Sequence, residues 1–118
     1  MITREKIIAY VADTYDVQPE YTFKKFPSYC VFKHPRNHKW FGLMMLIPQN
    51  KLYGDSETEI AVIDVKVTPE IGDILKANKA YYPAYHMNKE HWITIDLTTI
   101  DDFDQLTDLI DDSFESTK

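Results

Sequence analysis

Histidine and lysine are the side chains of this sequence with the most chemistry to offer. Four histidines form two pairs, His34/His38 and His86/His91. A zinc site wants three or four nitrogen, sulfur or oxygen ligands converging at about 2 Å, usually at recognisable short spacings. The first pair would share a face only on a helix, and HPRNHKW is a turn with a proline in it. The second pair brackets the polar run Met87-Asn88-Lys89-Glu90, and neither pair makes the His-Glu-x-x-His pattern of a metal-binding helix. Structural histidines are therefore expected, with no metal and no cofactor. Nucleophilic catalysis is not indicated either. Cys30 reads as a small core residue in a strand, the serines lack a nucleophile elbow, and three glycines leave little room for a phosphate loop. No catalytic residue is assigned, and the chain is not expected to be an enzyme.

Lysine and arginine offer more. The net charge is −6, yet residues 21 to 54 carry six basic groups and no acidic one, whereas residues 100 to 118 carry one and seven. Lys24, Lys25, Lys33, Arg36 and Lys39 are interleaved with Phe23, Phe26, Tyr29, Phe32 and Trp40. A hairpin with Arg36 at its tip, joined by Lys89, could lie along phosphates and bind DNA or another polyanion with strong salt dependence. The plainer reading is that these lysines protect an edge strand from pairing with other sheets. A polar pocket is the alternative for a small anionic ligand, with Trp40, Lys66, Tyr85, His86, Asn88, His91 and Trp92 as its candidates. In its structural reading, the same corner buries Tyr85 and Trp92, turns at Asn88 and Lys89, and uses the histidines as hydrogen-bonding groups.

The elements that must position these groups can be read from periodicity. Thr3 is a plausible N-cap for a helix over about 3 to 15, with Ile7, Ile8, Val11 and Tyr15 at helical spacing. YCVFKH and WFGLMMLI, joined by PRNHK, predict a β-hairpin. In its second strand Trp40, Met44 and Leu46 should share one face and Phe41, Leu43, Met45 and Ile47 the other, both covered. IAVIDVKV alternates Ala61, Ile63, Val65 and Val67 against Asp64 and Lys66, so a strand is expected there. Thr68, Pro69 and Glu70 predict a helix start, with Ile71, Ile74 and Leu75 as its buried stripe and Asn78 as a stop. A strand over 91 to 97 would turn Ile93, Ile95 and Leu97 inward and Trp92, Thr94 and Asp96 outward. Thr99 and Asp102 suggest a capping box for a last helix whose stripe is Phe103, Leu106, Leu109, Ile110 and Phe114.

At 118 residues these elements make a single domain over 1–118. The order α-β(3)-α-β(2)-α predicts an α+β two-layer sandwich, an antiparallel sheet with helices on one face. A lone cysteine, an N-terminus without a signal-like apolar run, and no apolar stretch near the roughly 20 residues of a membrane span lead to a cytoplasmic, membrane-free expectation. The last helix places Asp111, Asp112 and Glu115 near its negative end, which costs a few tenths of a kcal/mol each unless cations are supplied. A protein or peptide partner could supply them, and so could this chain's own basic segment as a weak homodimer; otherwise the chain is a monomer.

VFKHPRNHKWFGLM, IDVKVTPE, YPAYHMNKEHWITIDL and LIDDSFE, in this order and spacing, resemble the MmcQ/YjbR family of small bacterial proteins across almost the whole chain. The resemblance implies a secretion-chaperone-like or frataxin-like α/β fold and a DNA-binding role with a "double wing" motif. The chain has Glu90 where the resemblance leads one to expect a basic residue between Lys89 and His91, which works against a phosphate contact at that point.

Overall fold

Thr3 begins the first helix by accepting the Lys6 N–H on its hydroxyl. Helix α1 (Arg4–Tyr15) then closes on Asp16, which takes the left-handed conformation (φ 57°) and sends its N–H to the Ala12 carbonyl. The computed structural model describes residues 2–118. The expected hairpin forms from β1 (Cys30–Lys33) and β2 (Trp40–Pro48), and β3 (Glu59–Lys66) completes a meander. Helix α2 (Pro69–Lys76) follows, capped by the Thr68 hydroxyl, then β4 (Tyr81–Pro83), β5 (Trp92–Asp96) and α3 (Phe103–Ser116). The strands lie in the order β1-β2-β3-β5-β4, every neighbouring pair antiparallel. This is the expected α+β architecture.

One sheet face packs under α1 and α3. Ile7 and Val11 of α1 and Leu106, Leu109 and Ile110 of α3 cluster with Phe32, Phe41, Met44, Ile63, Val65, Ile93 and Ile95. Alternation along β3 and β5 selects this face as the sequence suggests. The other face is also closed, but by irregular chain: Phe23, Leu52, Tyr53, Tyr85 and Met87 pack over Val31, Leu43, Met45, Ile47, Ile60 and Val62. The outward positions Asp64, Thr94 and Asp96 are therefore fully buried. A period-two pattern shows which residues share a face and says nothing of a loop folding over it.

Three local expectations are corrected. First, β2 does not keep one alternation. The pairing shifts between Phe32, opposite Gly42, and Lys33, opposite Trp40, leaving Phe41 as the extra residue of a bulge. Phe41 thereby joins Met44 on the helix side, and Trp40 joins Leu43 and Met45 on the other. Ser113 of α3 holds the bulge, donating to the Phe41 carbonyl at 2.7 Å and accepting the Lys66 N–H at 2.9 Å. Second, only part of the apolar stripe of α2 is buried: Leu75 packs against the core, but Ile71 is 44% and Ile74 64% exposed, while Gly72 faces inward. Third, Asp102 alone caps α3, accepting the Gln105 N–H, whereas Thr99 donates to Asp96. The acidic end of α3 is also partly compensated within the chain. The Tyr10 and Tyr15 hydroxyls donate to Asp111, and Lys118 pairs with Glu115 at 3.2 Å. Burial and the Asp111 carboxylate both raise the pKa of these tyrosines, which stay protonated donors.

Candidate functional site

The bulge decides where the site lies. By turning Trp40 away from the helices it builds one wall of a pocket of about 200 Å³, whose other walls are Phe23, Phe26, Tyr29, His86 and Met87, with Leu43 of the sheet as floor. Phe26 and Tyr29 stack with ring centroids 4.6 Å apart, and Phe23 stands edge-on to Tyr29 and Trp40 at 5.9 and 6.0 Å. The segment that carries these rings is tied to the sheet by mutual backbone bonds between Glu20 and Val31, and to α1 by Arg4, which donates to the Ser28 carbonyl at 2.5 Å.

His86 closes the far side. It occupies the left-handed region (φ 72°), unusual for a histidine and a local cost accepted by the surrounding packing. Its ring lies 4.0 Å from that of Tyr85, and its Nε2 is 3.4 Å from the Tyr29 hydroxyl. Burial, and then the nearby Lys89 charge, lower its pKa, so the pocket wall is neutral imidazole at neutral pH. The corner behind it is built as the sequence suggests, by Asn88, whose Oδ1 accepts the N–H groups of Glu90 and His91.

Beneath the corner lies a group the sequence reading passed over. Asp64 is cross-strand neighbour to Leu43 on one side and Thr94 on the other, and it is fully buried. Thr94 donates to its Oδ1 at 2.5 Å while accepting the Tyr85 N–H at 2.9 Å; Oδ2 has no partner. Burial raises the carboxyl pKa to about 8, against smaller lowering effects of the Thr94 bond and the Lys89 charge. The Lys89 ammonium itself donates to the Ala84 carbonyl at 2.7 Å. The apolar neighbours of an alternating β3 gave no sign that Asp64 would be enclosed.

The predicted cations are dispersed by the fold. Lys24 and Lys25 sit in the exposed turn between Phe23 and Phe26, and Lys39 is exposed and precedes Trp40 in the chain; they neighbour pocket residues in sequence without lining the pocket themselves. Lys33 pairs with Glu20 at 3.3 Å. Arg36 lies in a turn docked against α3, where His34 Nε2 donates to the Phe114 carbonyl (2.8 Å) and Asn37 donates to the Thr117 carbonyl (3.0 Å). There it lines a separate cavity of about 350 Å³ with Phe114 and Lys118. Of the corner candidates, Trp40 and His86 line the pocket and Tyr85 backs it. Lys66 lines a cleft between α2 and α3, Asn88 builds the turn, Trp92 is half-buried opposite Lys66, and His91 is exposed beside Glu90. Among the described residues, no three His, Cys, Asp or Glu side chains gather closely enough to hold a metal ion, and no helix is long and apolar enough to cross a membrane.

This geometry has relatives. The chain is 41% identical over 118 residues, the full length of both proteins, to YyaQ of Bacillus subtilis, an uncharacterised protein. It is 42% identical to a Pseudomonas syringae protein whose crystal structure superposes with a TM-score of 0.95, covering 99% of this chain and 100% of the other. A Deinococcus radiodurans protein at 22% identity shares the fold, with a TM-score of 0.73 over 97% of this chain and 77% of its own. The YjbR family model matches residues 12–116, and with these full-length relatives it shows that the chain belongs to the YjbR family.

Proposed function

We propose that the protein is a binding module for single-stranded nucleic acid, taking an unpaired base into the pocket between Phe26, Tyr29 and Trp40. The observation that carries this reading is the presence of four aromatic side chains in one pocket, Trp40 from β2 and Phe23, Phe26 and Tyr29 from the segment that also bears Lys24 and Lys25. Aromatic platforms beside a cationic track are how single strands are held, the rings stacking on bases and the lysines following the phosphates. The volume, about 200 Å³, suits one flat ring better than a drug-sized ligand, whose pockets usually run to roughly 300 Å³ and above. Arg36, docked against α3, is poorly placed to act as the free tip of a finger reading a duplex groove.

The test is fluorescence anisotropy of fluorescein-labelled oligothymidylate and of a hairpin duplex at low salt. The single strand is expected to bind more tightly, with an affinity that falls as salt rises. Phe26→Ala should cost about 1–3 kcal/mol, the worth of one stacked base. Lys24→Glu with Lys25→Glu should weaken every sequence alike. Absence of single-strand binding at low salt, or duplex binding of equal strength that ignores Phe26→Ala, overturns the reading.

A further inference from the structure

Helix α2 is built with an apolar face that the fold does not use. Ile71, Ile74 and Leu75 lie on one side of it and Glu70, Asp73 and Lys76 on the other, yet only Leu75 packs against the core. Ile71 and Ile74, one turn apart, stand 44% and 64% exposed. Ile71 also opens onto a cleft of about 190 Å³ between α2 and α3, with Val67 and Leu109 among its walls and Asp112 at its edge. The cleft has room for an apolar side chain. Lys66 is the one cation among the residues that line it.

The surroundings say what kind of chain would fill it. Helices α2 and α3 together carry seven carboxylates and one lysine, a net charge equal to the −6 of the whole molecule. Asp111 is taken up by Tyr10 and Tyr15, Glu115 by Lys118, and Asp73 by Lys76 at 3.6 Å. Asp108 and Asp112, one turn apart on α3, and Glu70 on α2 have no such ion pair among the described residues. We infer that the α2–α3 face is a docking surface for a cationic amphipathic segment of another protein. Apolar side chains of that segment cover Ile71 and Ile74 and one of them enters the cleft, and its lysines or arginines meet Asp108, Asp112 and Glu70. A second copy of this chain fits less well. Its cations sit largely on loops and turns, and α1, which carries Arg4 and Lys6, also carries Glu5 and Asp13.

The experiment uses the full chain and a fluorescein-labelled helical peptide of leucine and lysine with leucines at three- and four-residue spacing. Its controls are a scrambled peptide and a leucine–glutamate counterpart. The leucine–lysine peptide is expected to bind, and the scrambled and acidic ones to bind at least about tenfold more weakly. Ile74→Ser should reduce affinity about tenfold, and Asp112→Asn should reduce the salt dependence. Asp13→Asn, the same charge change at an exposed position of α1, should leave binding unaltered. Both isoleucines are exposed, so circular dichroism is expected to show the variants folded. The proposal is overturned if the scrambled peptide binds equally, or if Asp13→Asn matters as much as Asp112→Asn while Ile74→Ser is silent. It is equally overturned if sedimentation shows the chain alone associating through this face, an association lost on Ile74→Ser.

Discussion

Asp64→Asn is the substitution whose outcome follows most directly from the structure. The carboxyl is fully buried, with one oxygen bonded to Thr94 and the other unpartnered. Its pKa rises from 3.8 to about 8 because burial penalises the charge. A group protonated more readily in the folded than in the unfolded chain contributes its full stability below the unfolded pKa. That contribution is lost as pH rises through the window from about 4 to 8. The loss amounts to roughly 4 kcal/mol by pH 7 and on the order of 6 by pH 9, before relaxation around the charge reduces it. Such a term is large against a typical domain stability of about 5–15 kcal/mol. Asparagine keeps the acceptor for Thr94 and places an unpartnered amide NH2, with two N–H donors, where the protonated acid has one O–H, but it cannot ionise. The two proteins should therefore unfold at similar urea concentrations near pH 4. At pH 8 the variant should be more stable by several kcal/mol, a midpoint shift of about 1–3 M urea. Urea titrations of both proteins, followed by circular dichroism at intervals of pH, measure the difference directly, and the carboxylates common to both cancel. A difference that stays constant from pH 4 to 9, or a wild type that gains on the variant as pH rises, would refute the reasoning.

Other consequences can be checked with the same titrations. Lys89→Met removes the positive charge that partly offsets Asp64 burial and should steepen the loss of stability above pH 7. Ser113→Ala leaves the Phe41 carbonyl and the Lys66 N–H at the bulge unpaired and should cost about 1–3 kcal/mol at any pH. Gly42→Ala would place a methyl 3.0 Å from the Phe32 ring, and the resulting overpacking should cost about 1–3 kcal/mol. His86, whose pKa is lowered by burial and Lys89, favours folding only while neutral, so stability falls as pH drops below about 6.5. His86→Gln should flatten that acid limb, to be read from urea midpoints between pH 5 and 7.

Much of the architecture was legible because its signals are local. Thr3 and Thr68 cap the helices they precede, Pro69 stands at the first position of α2, and the alternation of Ile93, Ile95 and Leu97 names the face under the helices. The site was less legible. Phe23, Phe26, Tyr29 and Trp40 could be noted as aromatic residues among lysines, but their meeting with His86 and Met87 joins segments about sixty residues apart. Asp64 stood at an outward position of a strand, and only chain from elsewhere could bury it.

The sequence by itself determined the elements, their order and the family, because caps, turns and hydrophobic period act within a few residues of the atoms that carry them. The tertiary structure alone decided that a one-residue bulge would send Trp40 to the loop side. It decided too that residues 20–29 and 84–91 would close over Asp64, and that Ile71 and Ile74 would face outward. These outcomes turn on which distant surfaces meet, and burial belongs to the pair of surfaces in contact, not to either stretch of chain read alone.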